Sequence, residues 1–266
     1  MMSIGGYSRF LNYLIMKRDF LILEIVLLTA MGVGGATVVG AVIGFLFKNI
    51  SERYKGATLG SAAGVMLSAS VFSLIIPSLE YGGSALLTVL GIFCGGVTID
   101  LLDRAVQCIG RKISSTPDVG RQKVLLFVAA IAIHNLPEGI AAGVGFGSGN
   151  FSDAMMIAGG IALQNIPEGM VLISPMLSAG FSAWHTFAFA ALTGLVEVLG
   201  AFLGYYAVSA VLGLLPFALA FAGGCMLYVI FDEMIPEARL CGNGRGANYS
   251  AFFGFSAMIL FDAIMG

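Results

Sequence analysis

Charge punctuates this chain, and the gaps between charges are long. Ile25 to Phe47, Gly56 to Leu79 and Tyr81 to Ile99 contain no Asp, Glu, Lys, Arg or His. Val124 to Asn150 carries only His134 and Glu138, Ala154 to Trp184 only Glu168, and Thr186 to Phe231 only Glu197. A bilayer-spanning helix needs about 20 mostly apolar residues, so these runs point to a set of membrane spans. The stretch from Thr186 to Phe231 is about twice the length of one span and divides near Leu212 to Pro216. A last run begins near Asn248 and contains Asp262. The expected fold class is all-α: a polytopic membrane protein of eight transmembrane helices over about 24–47, 56–79, 81–105, 122–147, 153–177, 183–209, 212–239 and 248–266. Residues 1–23 mix Arg9, Lys17, Arg18 and Asp19 with apolar residues and lack the pattern of a cleavable signal. They read as an amphipathic, interfacial lead-in on the extracytoplasmic side.

Composition excludes a water-soluble globule. The chain is 58% hydrophobic and 11% charged, against about 25% charged in soluble domains. Its 37 glycines suit close helix approach within a membrane. A net charge of -2 supplies no basic field for nucleic acid. Cys94, Cys108, Cys225 and Cys241 form no CxxC pair, so neither a disulfide framework nor a thiolate metal site is expected.

Basic residues set the orientation. Lys48, Arg53 and Lys55 fall between helices 1 and 2. Arg104, Arg111, Lys112, Arg121 and Lys123 fall between 3 and 4, and Arg239 and Arg245 between 7 and 8. The opposite side has only Arg9, Lys17 and Arg18, which makes ten against three of the chain's 13. Positive charge near helix ends is retained in the cytoplasm, so both termini are expected outside. The longest loop, Val106 to Gly120, is then cytoplasmic.

A repeat marks the middle of the chain. Ile131 to Ile140 aligns with Ile161 to Met170: six of ten positions are identical, and only His134 against Gln164 changes chemistry. Consecutive spans cross in opposite directions, so one polar motif occurs twice, related by inversion. A weaker echo joins Ala62 to Leu67 with Ala222 to Leu227, and Val71 to Pro77 with Ile230 to Pro236, separated by a one-residue slip. The arrangement expected is three helices, a central pair, then three inverted helices. Such repeats with interrupted helices mark secondary transporters with a midplane site.

Glu138, Glu168 and Glu197 lie deep in spans that hold no Lys or Arg. An ionised side chain there costs on the order of 2.5–3.5 kcal/mol on insertion scales, so a mobile cation is the natural compensation. His134 and Glu138 are four apart, as are Gln164 and Glu168, and each pair shares a helical face. Asn135 and Asn165 lie about 100° further round. Facing pairs offer one imidazole nitrogen, two carboxylates and an amide oxygen, a set suited to first-row divalent ions. Asn135, Asn165 and Glu197 are then available to a neighbouring second ion. Pro137 and Pro167 free the carbonyls of Ile133 and Leu163, and such breaks are tolerated where they line a cavity. Acidic groups toward the helix ends, Glu80, Asp103, Asp232, Glu233 and Glu237, together with Met66, are candidates for a transit path. His185 reads as a solvated histidine near a short turn.

At these residues the sequence resembles the ZIP (Zrt/Irt-like) metal transporters, in particular their compact GufA-like bacterial branch. His134-Asn-Leu-Pro-Glu-Gly139 is similar to the family's helix 4 motif, Gln164-Asn-Ile-Pro-Glu-Gly169 to its helix 5 motif, and Asp232-Glu-Met-Ile-Pro-Glu237 to its helix 7 pattern. Glu197 falls where the family has a helix 6 glutamate. The resemblance covers about Leu23 to Gly266. It implies a metal site between helices 4 and 5, often binuclear, with His134, Glu138, Gln164 and Glu168 as primary ligands and Asn135, Asn165 and Glu197 on the second ion. It also implies a homodimer in the bacterial inner membrane that moves divalent cations toward the cytoplasm: zinc foremost, with iron, manganese and cadmium as other candidates. No prosthetic group is expected. Val106 to Gly120 lacks the histidines that some relatives carry in this loop. Two rival readings stand beside this one. A proton- or sodium-coupled carrier of an organic solute is the first. The second is an intramembrane metalloenzyme, although no HExxH is present.

Overall fold

The computed structural model describes residues 4–46, 52–113, 119–147, 149–241 and 244–265. Lys48 and the centre of the longest loop, 114–118, lie outside the described residues. Among those described there is no strand, and eight long helical elements follow in order. They are α1 (Ile4–Leu46); α2, built of Glu52–Ser68, a π segment Ala69–Ile75 and Ile76–Glu80; α3 (Ala85–Ile113); α4 (Val119–Gly147); α5 (Phe151–Ser178); and α6 (Ala183–Ala210). A 3-10 turn, Leu212–Leu214, precedes α7, built of Leu215–Val229, a π segment Ile230–Met234 and Ile235–Leu240, and α8 (Gly244–Met265) closes the series.

The apolar runs become helices because nothing in them stops one, and their ends carry stop and start signals. Asn150 caps α5, its side chain accepting from the Ser152 and Asp153 amides, and Ser182 caps α6 through the His185 amide. The long run 186–231 is divided at Val211, whose extended backbone ends α6. From Ile4 onward the lead-in is helical and continuous with the first span, since residues 7–24 hold neither Gly nor Pro to interrupt it.

Phe20–Leu46, Tyr54–Glu80, Ala85–Cys108, Phe151–Ser178, Ala183–Ala210, Leu215–Leu240 and Gly244–Ile264 are each long and apolar enough to cross a bilayer. Large apolar side chains face outward, among them Leu86, Leu90, Phe93 and Val97 on α3 and Leu192, Leu195, Leu199 and Leu203 on α6, while Glu138, Asn135 and Glu197 face inward. That inside-out distribution is stable only in lipid. The protein is an integral, multi-pass membrane protein.

The packing follows an inverted repeat. α4 packs along α6 as α5 packs along α1, and α2 packs along α8 as α7 packs along α3. One four-helix group therefore contains α1, α4, α5 and α6, and the other α2, α3, α7 and α8. The groups meet where α2 touches α5 and α7 touches α4. Glycines record the same symmetry. Gly34, Gly40 and Gly44 of α1 precede Gly194, Gly200 and Gly204 of α6 by 160 residues. Gly34 and Gly194 lie backbone to backbone, a Cβ on either meeting the carbonyl of the other. Gly40 lies against the Ile166 carbonyl of α5, as Gly200 does against the Leu136 carbonyl of α4. Without side chains here the helices approach closely enough to place polar groups in one layer.

Candidate metal centre

That layer sits at the crossing of α1, α4, α5 and α6. His134, Asn135, Glu138, Gln164, Asn165, Glu168 and Glu197 are all at most 9% exposed. Gly139 and Gly169 set the spacing: a Cβ on the first would meet the Glu197 carbonyl, and one on the second the Thr37 carbonyl.

Glu197 is the most heavily engaged group. Its Oε1 accepts from Asn135 Nδ2 at 2.6 Å and from Thr37 Oγ1 at 3.0 Å, and its Oε2 accepts from Asn165 Nδ2 at 2.7 Å. Asn165 Nδ2 also lies 3.3 Å from the Val33 carbonyl. A carboxylate only accepts, so both amide groups must turn their NH2 toward it. The Asn135 and Asn165 carbonyl oxygens then point away, buried and without a partner among the described residues. Glu138 Oε1 accepts from Gln164 Nε2 at 2.6 Å, while Glu138 Oε2 and Gln164 Oε1 are likewise buried and unpartnered. Four unsatisfied oxygens in one layer are costly without a guest, and oxygen donors of this kind suit a cation.

His134 looks the other way. Its Nε2 lies 3.1 Å from Glu233 Oε1, on the π segment of α7. A cavity of about 30 Å³ opens there, lined by His134, Glu168, Glu233, Glu237 and Met66 among others. It has room for a water or a small ion. Glu168 links the two parts, sharing the fields of His134 and Glu233 on one side and of Glu138 and Glu197 on the other.

The expected residues therefore divide. Met66, Glu233 and Glu237 reach the cavity. Asp103 is half-buried, accepts from Gln107 Nε2 at 2.7 Å, and lies in the field of Glu233, Asp232 and His134. Asp232 is exposed and outside the cavity lining. Glu80 is exposed at the far end of α2, about 20 Å along the helix from Met66. His185 is exposed beside its cap, with Nδ1 2.7 Å from Ser182 Oγ. Among the described residues no three His, Cys, Asp or Glu side chains stand ready-made around one ion; the centre mixes amides with carboxylates. Thr37 is the participant the sequence reading missed. It occupies on α1 the position of Glu197 on α6, 160 residues earlier, within the matching glycine pattern, and that pattern was the available signal.

Fold and site together define a polytopic membrane protein with a buried layer of carboxylates and amides on two repeated helices. The family model described as ZIP Zinc transporter matches residues 102–262, and the chain belongs to that family. It is 36% identical over 252 residues to a protein named zinc transporter GufA from Myxococcus xanthus, covering 90% of this chain and 98% of the relative. It is 31% identical over 317 residues to zinc transporter ZIP11 of Xenopus tropicalis, covering 87% and 94%. Over 245 residues it is 33% identical to zinc transporter ZIPB of Bordetella bronchiseptica, covering 87% and 78%.

Proposed function

We propose that this protein carries divalent transition-metal cations across the bilayer toward the cytoplasm, through the layer between α4 and α5. Zinc, the metal in the names of its relatives, is the first candidate, with iron, manganese and cadmium as the others, because a mixed imidazole, carboxylate and amide set does not single out one of them. The carrying observation is the set of buried, unpartnered oxygens on Asn135, Glu138, Gln164 and Asn165, which a cation would satisfy. The ion approaches from the Glu80 side and exchanges water for His134, Glu138, Gln164 and Glu168. It leaves past Glu233 and Glu237. Glu197, with both oxygens engaged, orients Asn135 and Asn165 so that their carbonyls serve a neighbouring second ion. An organic solute is disfavoured by size, because the cavity beside His134 holds only about 30 Å³.

The test is uptake of radioactive zinc into vesicles reconstituted with the protein. Glu138→Ala removes a carboxylate of the first ion position, and saturable uptake is expected to disappear. Unchanged flux in that variant overturns the site.

A further inference from the structure

A groove of about 350 Å³ runs along the junction of α2, α7 and α8. Gly60 and Gly64 line its floor, where α8 comes close enough that a Cβ on either would meet the carbonyls of Ala247 and Ala251. Leu67, Phe252 and Phe255 form its walls, and Arg239 stands at its end. α2 and α8 begin where α7 ends, so the groove has a direction. Arg239 lies in the last turn of α7, whereas Gly60 to Leu67 extends about 10 Å inward along α2. A cation at the mouth and apolar walls along the depth make an amphiphile-shaped site.

Symmetry supplies a comparison. The related groove between α3 and α7, about 510 Å³, places Phe93, Gly224 and Leu227 where this one has Phe252, Gly64 and Leu67. The arginine that lines it, Arg104 on α3, is not the repeat's counterpart of Arg239 and is occupied: its Nε donates to Asp100 Oδ1 at 2.9 Å. Arg239 is exposed and makes no hydrogen bond or ion pair among the described residues.

We propose that the α2–α7–α8 groove binds an acidic phospholipid, with one acyl chain along the groove and the phosphate on the Arg239 guanidinium. The guanidinium fork matches phosphate oxygens, and the positive-inside arrangement puts Arg239 at the leaflet rich in anionic lipid. Leu67 adjoins Met66, which lines the metal cavity, so the lipid packs behind the wall of the ion path. Nothing in this proposal depends on which metal is carried.

Native mass spectrometry of the full chain, released from bilayers of matched acyl composition, tests it. Phosphatidylglycerol is expected to be retained about fivefold more than phosphatidylcholine. Arg239→Gln should remove that preference, and Arg104→Gln in the related groove should keep it. Ala251→Trp, which fills the groove, should abolish retention. Equal retention of the two lipids, or a preference unchanged in Arg239→Gln, overturns the proposal even where the tryptophan variant fails to fold. So does a dimer with no bound lipid that Ala251→Trp splits, because the groove would then be a protein interface.

Discussion

The buried carboxylates are neighbours with different occupations. Glu197 has three donors, which spread over both of its oxygens, and it acts as an anchor. Glu138 has one donor and one free oxygen, so it is the better placed to take a ligand. Glu168 lies between them and His134. With no Lys or Arg from Val124 to Asn150, from Ala154 to Trp184 or from Thr186 to Phe231, the arrangement holds through charge-assisted hydrogen bonds. Thr37→Val tests the anchor, since it deletes one donor to a buried anion while leaving two. We expect a loss on the order of 1.5 kcal/mol, read as a lowered melting temperature in detergent, with Thr37→Ser close to the parent. A valine variant as stable as the parent would show that the hydroxyl does not hold Glu197.

At the scale of elements, two devices place those side chains. The first is the pair of π segments. The Ile76 amide donates to the Val71 carbonyl and the Ile235 amide to the Ile230 carbonyl, five residues back in each case. Each segment is followed at once by a residue leading into Pro77 or Pro236, which lack a donor of their own. The wider turn in α7 carries Glu233, and it is this residue that meets His134. The one-residue slip in the repeat between α2 and α7 falls between Leu67 and Val71, where the longer π segment of 7 residues begins, against 5 in α7. A π turn absorbs an added residue without ending the helix. The second device is the glycine contact between α1 and α6. Gly194→Val puts branched carbon into the Gly34 backbone. Because backbone cannot yield as a flexible side chain does, α1 and α6 should separate and pull Thr37 from Glu197. The expected result is loss of zinc uptake with the protein still inserted in the membrane, measured as flux normalised to membrane protein. Full uptake in this variant would mean the close approach is dispensable.

For the whole molecule, the ten-to-three distribution of basic residues predicts that the ends of α3 and α7 lie in the cytoplasm. Cys108, exposed near the end of α3, reports on this directly. In a variant lacking Cys94, Cys225 and Cys241, a membrane-impermeant maleimide should label Cys108 only after cells are permeabilised. Labelling of intact cells would invert the topology, and with it the expected direction of transport.

Much of this architecture was legible in the amino acids. Uncharged runs of about 20 residues or more determine an all-helical membrane protein, because only helices and closed barrels satisfy the backbone in lipid and a barrel strand needs only about 9–11 residues. The doubled Asn-x-Pro-Glu-Gly pattern determines that α4 and α5 carry the polar layer, because four-residue spacing keeps those groups on one helical face. The tertiary structure alone decided which acid serves which partner. Glu197 met Thr37 and His134 met Glu233, both through contacts between residues far apart in the chain. Such pairings depend on interhelical distance and on hydrogen-bond register, which glycine contacts and π turns adjust by ångströms. Periodicity along one helix holds no record of either until a second helix is packed against it.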